Sequence, residues 1–195
     1  MLFRSSALND LIDESHRTVQ ILDNLRQLFG RGEQENEPID MNDLVVSSLQ
    51  LLRRELADQG VVPALDLAAE LPFVMGQKTQ LQEVLLNLFR NAIEAMAAVK
   101  TDRRALKVRT ALAAEKKILI EIEDSGPGID SERLEDIFDP FVTTKSHGTG
   151  LGLTICSAIV ERHGGQLLAS SDGKNGALFK VVLPVALARM DDIFA

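Results

Sequence analysis

The sequence predicts an α+β protein: a two-layer α/β sandwich with helices on one face of a mixed sheet, preceded by a long N-terminal helix. Three observations lead there. From residue 38 onward, apolar residues switch between a helical period and a strand period of two. Two pairs of strand-like runs, "ALKVRTALA" with "KILIEIED" and "QLLASSD" with "ALFKVVLP", are joined by the short turns "AEKK" and "GKNG" and read as hairpins. Over the first 31 residues, Leu8, Ser15, Leu22 and Phe29 recur at every seventh position, with Leu11, Thr18 and Leu25 between them. Helices and antiparallel strands in this mixture favour helices layered on a mixed sheet.

In chain order, residues 1–31 form one helix, whose stripe Ile12 and Val19 widen to a bundle-like face. About 28 helical residues extend on the order of 40 Å, too long to fold back on one small domain. That face is expected to pack on another helix, from a second copy of the chain. Residues 32–38 are a polar linker, residues 39–186 the main domain and residues 187–195 a tail. A helix over 42–59 closes at Gly60. "VVPALDLA" is a strand that Pro63 confines to an edge or a strand start. A long helix spans 78–99, "SERLEDIF" makes a short one, and "GLGLTICSAIVERHGG" a longer one ending at a glycine pair.

Composition narrows the function. A chain 45% hydrophobic and 26% charged is globular. A net charge of −8 with no tyrosine or tryptophan argues against nucleic-acid binding. No apolar run approaches the roughly 20 residues that span a bilayer, so no membrane contact is expected. "MLFRSSALND" lacks the regions of a signal peptide. The single cysteine, Cys156, lies in the apolar "LTICSAIV" and reads as a buried structural thiol in a reducing, cytoplasmic setting.

"NLFRNAIEAM" sets two amides inside the apolar helix 78–99. Asn87 and Asn91 stand one turn apart on one face, Glu83 extends that stripe backward, and Arg90 and Glu94 flank it. Alone, this is the outer face of an amphipathic helix. Three further stretches change the reading. "EDSGPGI" ends a strand and carries Asp124 into a loop whose Gly126 and Gly128 allow backbone angles closed to other residues. "IFDPFVTTK" brackets Asp-Pro with two phenylalanines and follows with hydroxyls and an ammonium suited to phosphate oxygens. "SHGTGLGLTI" leads alternating glycines into an apolar helix, whose first N–H groups can meet an anion. Neither standard phosphate-binding motif is present.

In that order, the asparagine pair, Asp-x-Gly-x-Gly, Phe-rich loop and Gly-x-Gly-x-Gly resemble the N, G1, F and G2 boxes of sensor histidine kinases. The wider relatives are the gyrase, heat-shock chaperone and MutL ATPases. "LQEVLLNLFRNAIEAM", "DSGPGI", "IFDPFVTTK", "GTGLGL" and "ERHGG" all look like that family's catalytic ATP-binding domain, over roughly residues 38–185. "FDPFVTTK" followed by "GTGLGL" is particularly like the subgroup that includes nitrogen- and dicarboxylate-sensing kinases.

The resemblance implies ATP and Mg²⁺ as cofactors. Asn91 would give its oxygen to Mg²⁺, while Asn87, Arg90 and Glu94 line the same site. Asp124 would accept from the adenine amine, with Gly126, Gly128 and Ile129 shaping the base pocket. Thr144 and Lys145, with Gly148, Thr149, Gly150, Leu151, Gly152 and Leu153, would form the ATP lid over the phosphates. Glu83 would assist a water or orient the acceptor; packing or capping explains it equally well. Gyrase-type ATPases place a glutamate where Asn87 stands, and an amide cannot act as that general base. The γ-phosphoryl would therefore pass to a histidine, for relay to a response-regulator aspartate.

The acceptor motif of the family, H-[ED]-x-x-[NT]-P-L, is absent. Of the three histidines, His163 sits at a helix end, His147 lies in the lid stretch, and His16 lacks both the acidic residue and the proline. "ESHRTVQILDNLRQLF" resembles instead the second helix of the dimerisation hairpin. The expectation is a piece of a longer kinase, homodimeric through its N-terminal helix, that does not autophosphorylate by itself. Two alternatives stay open: a nucleotide-responsive interaction module that transfers nothing, and a gyrase- or chaperone-type ATPase.

Overall fold

A computed structural model of the chain describes residues 35–97, 99, 104–143 and 148–186. The predicted helix 1–31, the tail 187–195, His16, His147, Thr144 and Lys145 lie outside the described residues. Strand β1 (Glu37–Ile39) leads through Asp40, whose carboxylate accepts from Asn42 N and Asp43 N, into helix α1 (Met41–Leu51). After Leu52 comes helix α2 (Arg53–Asp58). Then follow β2 (Val62–Asp66), β3 (Val74–Gly76), helix α3 (Lys78–Ala97) and the hairpin of β4 (Ala105–Ala113) and β5 (Lys117–Asp124). Helix α4 (Gly152–Arg162), β6 (Gln166–Ser171) and β7 (Ala177–Pro184) complete the fold.

The main sheet has the order β2-β4-β5-β7-β6, and only the β2–β4 pair is parallel. It is the mixed sheet of the expected α+β sandwich. Pro63 sits on β2 at the sheet's edge, where its missing N–H costs no ladder bond. Alternation does the rest. Leu106, Val108, Ile118, Ile120, Ile122, Phe179, Val181 and Leu183 are buried on one face. They meet Leu81, Val84, Leu85, Leu88, Phe89, Ala92 and Met96 of α3, with Ile155 and Ile159 of α4. Full burial of each such aliphatic side chain contributes roughly 1.5–3 kcal/mol. The opposite face carries ion pairs, Lys107–Glu123 in the open and Arg109 and Lys180 about the half-buried Glu121. These keep it wet and add little stability.

Three details differ from the sequence reading. The helix expected over 42–59 is two helices, broken at Leu52, whose φ of −91° and ψ of 7° leave the helical region. Leu52 is buried and Leu51 is 64% exposed, so the break turns the apolar stripe back onto the core. "SERLEDIF" forms two 3₁₀ turns, Ser131–Arg133 and Asp136–Phe138, in place of a helix. The chain read as linker ends in β1, which pairs antiparallel with β3 in a separate two-stranded sheet.

Candidate functional site

Helix α3 is the spine of the site. Its buried face faces the sheet, while Glu83, Asn87 and Asn91 are half-buried along the adjoining stripe. Asn91 Nδ2 donates to Asn87 Oδ1 at 3.2 Å, so the two amides form one unit. Arg90 and Glu94 are exposed, and Arg90 pairs with Glu55 of α2 at 3.4 Å. Glu55 was not singled out from the sequence; its role emerges only once α2 folds beside α3.

Helix α4 runs antiparallel to α3, and three contacts fix the register. Gly152, the first residue of α4, faces Asn87: a Cβ there would lie 2.8 Å from Nδ2 and 3.0 Å from Oδ1. One turn on, Cys156 Sγ lies 4.0 Å from the carbonyl oxygen of Val84. At the far end His163 meets the start of α3. Gln77 N–H donates to His163 Nε2 at 3.1 Å, so the ring proton sits on Nδ1 and donates to Ile159 O at 2.7 Å. His163 is thus a brace between two helices, as its place at a helix end suggests. Cys156 is buried, and burial, aided by the Glu83 carboxylate, pushes its thiol well above the ordinary range. It is the structural thiol expected.

The base-side loop meets the same helix eight residues further along. A Cβ on Gly126 would lie 3.0 Å from Ala95 Cβ of α3 and 2.7 Å from Asp124 Oδ1. Asp124 is only 5% exposed, and its Oδ1 accepts from Gly126 N at 2.8 Å. Burial pushes its carboxyl up, and the N–H groups of Gly126 and Ala177 oppose this in part. Ile129 packs against the core beside it. Along α3 the two contacts, at Asn87 and at Ala95, are about 12 Å apart. One end offers a buried acceptor among glycines, and the other offers amides beside a helix start.

That helix start has no side-chain cap, because Leu151 occupies the cap position. Leu151 has no side-chain oxygen to offer the leading N–H groups, and such a helix start suits an anion. Leu151 itself is buried and Leu153 packs against the core, so these two leucines hold the glycine run in place. Gly148, Thr149 and Gly150 approach α4, and the Thr149 hydroxyl accepts from Leu151 N at 3.4 Å. Phe141 N donates to Gly150 O at 2.9 Å, joining the two ends of segment 142–149. Both residues have positive φ, 70° and 67°, and a Cβ on Gly150 would lie 2.6 Å from Phe141 Cα. Only glycine fits there.

Together these features define a class: an α+β domain in which a polar helix stripe lies between two glycine loops. The chain belongs to the family of histidine kinase-, DNA gyrase B- and HSP90-like ATPases, whose model matches residues 76–187. Within it, the chain carries the ATP-binding catalytic domain of the sensor histidine kinases, as its boxes suggested. It is similar to the sensor protein FixL of Bradyrhizobium diazoefficiens, 36% identical over 93% of this chain and 35% of that protein. It is also similar to the sensor histidine kinase TmoS of Ectopseudomonas mendocina, 34% identical over 92% of this chain and 19% of that protein. The chain thus spans about a third or less of these relatives. Among solved structures, the catalytic domain of histidine kinase ThkA matches with a TM-score of 0.68. It is 31% identical, over 78% of this chain and 97% of that one. A structure of the same kinase in complex with response regulator protein TrrA matches at 0.71, with 26% identity, over 92% of this chain and 49% of that one.

Proposed function

We propose that this chain binds Mg-ATP along α3 and hands the γ-phosphoryl group to a histidine on a helical hairpin, for relay to a response-regulator aspartate. The observation that carries the proposal is the amide of Asn87, hydrogen-bonded to Asn91 and in contact with Gly152 at the start of α4. A hydrolysing site needs a base there to take a proton from water, and a carboxamide has no useful basicity. A histidine nitrogen is neutral near pH 7 and needs little activation, so holding and orienting ATP are the tasks left to the protein.

The residues fit a magnesium ion. Asn91 Nδ2 donates to Asn87 Oδ1, and the Asn91 amide oxygen is the neutral ligand type that would hold the ion. Among the described residues no three His, Cys, Asp or Glu side chains cluster as a metal site. Magnesium keeps several waters and leans on phosphate oxygens, so it needs few protein ligands. When bound, Mg²⁺ neutralises charge on the β- and γ-phosphates. Asp124 accepts from the adenine amine, and Gly126, Gly128 and Ile129 shape the pocket around the ring. The uncapped α4 N-terminus and residues 148–153 receive the phosphates, with Thr144 and Lys145 contributing from the same segment. Arg90 and Glu94 border the site, and Glu83 orients the acceptor or a water.

Homodimerisation through the N-terminal helix and a cytoplasmic location belong to the same proposal. No described helix is long and apolar enough to cross a membrane. The test is incubation with γ-labelled Mg-ATP and a separately made acceptor hairpin, wild type beside Asn91→Ala. Acid-labile label on the hairpin with wild type alone is the expected result. Steady phosphate release into water would favour a gyrase-type ATPase, and nucleotide binding without transfer an interaction module.

A further inference from the structure

Ser171, the last residue of β6, lies outside every motif the nucleotide site draws on. Its hydroxyl is nevertheless a three-way junction. Oγ accepts from Ile129 N at 2.9 Å and from Gly173 N at 3.1 Å, and donates to Gly176 O at 2.6 Å. It therefore ties the base-side loop after Asp124 to the turn between β6 and β7.

Glycines on both partners make that approach possible. Gly128 has φ +83°, and a Cβ there would lie 2.7 Å from Lys174 N and 2.9 Å from Ser171 Oγ. Gly176 has φ +92°, and a Cβ there would collide with the carbonyl of Asp124. The turn is itself rigid: Asp172 accepts from Lys174 N at 2.9 Å, Asn175 N at 2.7 Å and Asn175 Nδ2 at 2.6 Å. On the other side, Gly126 abuts Ala95 of α3. The base-side loop is thus held between α3 and a braced turn, and Ser171 is the side chain that spans the second junction.

We infer that Ser171 is a positioning residue for nucleotide-base recognition: its hydroxyl sets where the 125–129 loop, and with it the Asp124 carboxylate, stands relative to the purine. The inference rests on the nucleotide site proposed above. Without the hydroxyl, the Ile129 N–H and the Gly176 carbonyl lose a shared partner, and the loop is free to drift from α3. Only a purine that donates an exocyclic amine to Asp124 feels that drift fully. A 6-oxo purine presents no such donor at that place, so it gains little from Asp124 in either form.

The test is calorimetric titration of the full 195-residue chain with Mg-ATP and Mg-GTP, for wild type, Ser171→Ala and Ser171→Thr. Wild type prefers ATP. Ser171→Ala weakens ATP binding on the order of tenfold, as expected for a net loss of about one hydrogen bond's worth of positioning. GTP affinity shifts less, so the preference narrows. Ser171→Thr, which keeps the hydroxyl, restores it. If Ser171→Ala lowers only the melting temperature and leaves the ATP-to-GTP ratio unchanged, the residue is merely structural and the inference is overturned. If wild type binds neither nucleotide, the site reading itself fails and takes this inference with it.

Discussion

Gly152 and Asn87 touch: the first residue of α4 leaves no room for a Cβ, which would lie 2.8 Å from the Asn87 amide nitrogen and 3.3 Å from its Cγ. The glycine run is thereby positioned on the asparagine pair. Gly152→Ala tests this contact. Alanine is the better helix former, so propensity alone predicts a stabler α4. Overpacking costs about 1–3 kcal/mol instead, and it falls on the amide that bonds Asn91. The expected outcome is a loss of Mg-ATP affinity of about tenfold or more, together with a lower melting temperature. Calorimetry beside thermal unfolding checks both.

Asp124 should give nucleotide binding an acid limit above that of an ordinary aspartate. Burial raises its pKa in the folded protein above the usual 3.8. Only the ionised carboxylate is a full acceptor for an amine. Mg-ATP affinity therefore falls as the pH drops through the raised pKa, earlier than a solvated aspartate would cause. Stability moves the other way. Between 3.8 and the raised value, the folded state keeps a proton that the unfolded chain has released. The Asp124 contribution to stability is then lost as the pH rises through that window and is level above it. Asp124→Asn removes that pH dependence, measured by urea unfolding across the window.

A second buried polar cluster holds the connection after β2. Asn42 Nδ2 donates to Ala68 O at 2.8 Å, the Thr110 hydroxyl donates to Asn42 Oδ1 at 2.7 Å, and Ala68 N donates to Thr110 Oγ1 at 3.0 Å. Thr110 is only 3% exposed. Thr110→Val strands two partners at once and is expected to cost about 1–3 kcal/mol in chemical denaturation. Mg-ATP affinity should be unaffected, because the cluster lies on no residue of the site.

Cys156 should be inert in the native chain. It is the chain's one cysteine, it is 1% exposed, and burial keeps its thiol protonated. A thiol reagent at neutral pH is expected to react only after denaturant is added. Prompt reaction of the folded protein would contradict the packing of α4 on α3.

Much of this architecture was legible in the sequence because the relevant patterns are long. The 20-residue helix α3 and the eight-residue strands β5 and β7 repeat their period often enough to be read. Pro63 limited its strand to an edge or a strand start by chemistry alone, and the edge is where it lies. The three-residue strands β1 and β3 were not readable, since "EPI" and "VMG" are too short to show a period. The break at Leu52 left no mark either: without proline or glycine, the turn is imposed by packing. The site divided in the same way. Asn87, Asn91, Asp124 and the glycines were singled out only because the boxes that hold them resemble those of a known family. Glu55, as partner of Arg90, and Ser171, as junction of two loops, depend on chain segments distant in sequence that fold together.

In the proposed function, the Asn87–Asn91 stripe and Asp124 form one nucleotide site. The most direct measurement is calorimetric titration of the chain with Mg-ATP, for wild type, Asp124→Asn and Asn91→Ala. Wild type is expected to show one site, weakened at least about tenfold by either substitution. Removing Mg²⁺ is expected to weaken wild type but scarcely affect Asn91→Ala. Equal affinity in all three proteins, or a magnesium effect that Asn91→Ala leaves intact, would contradict that proposal.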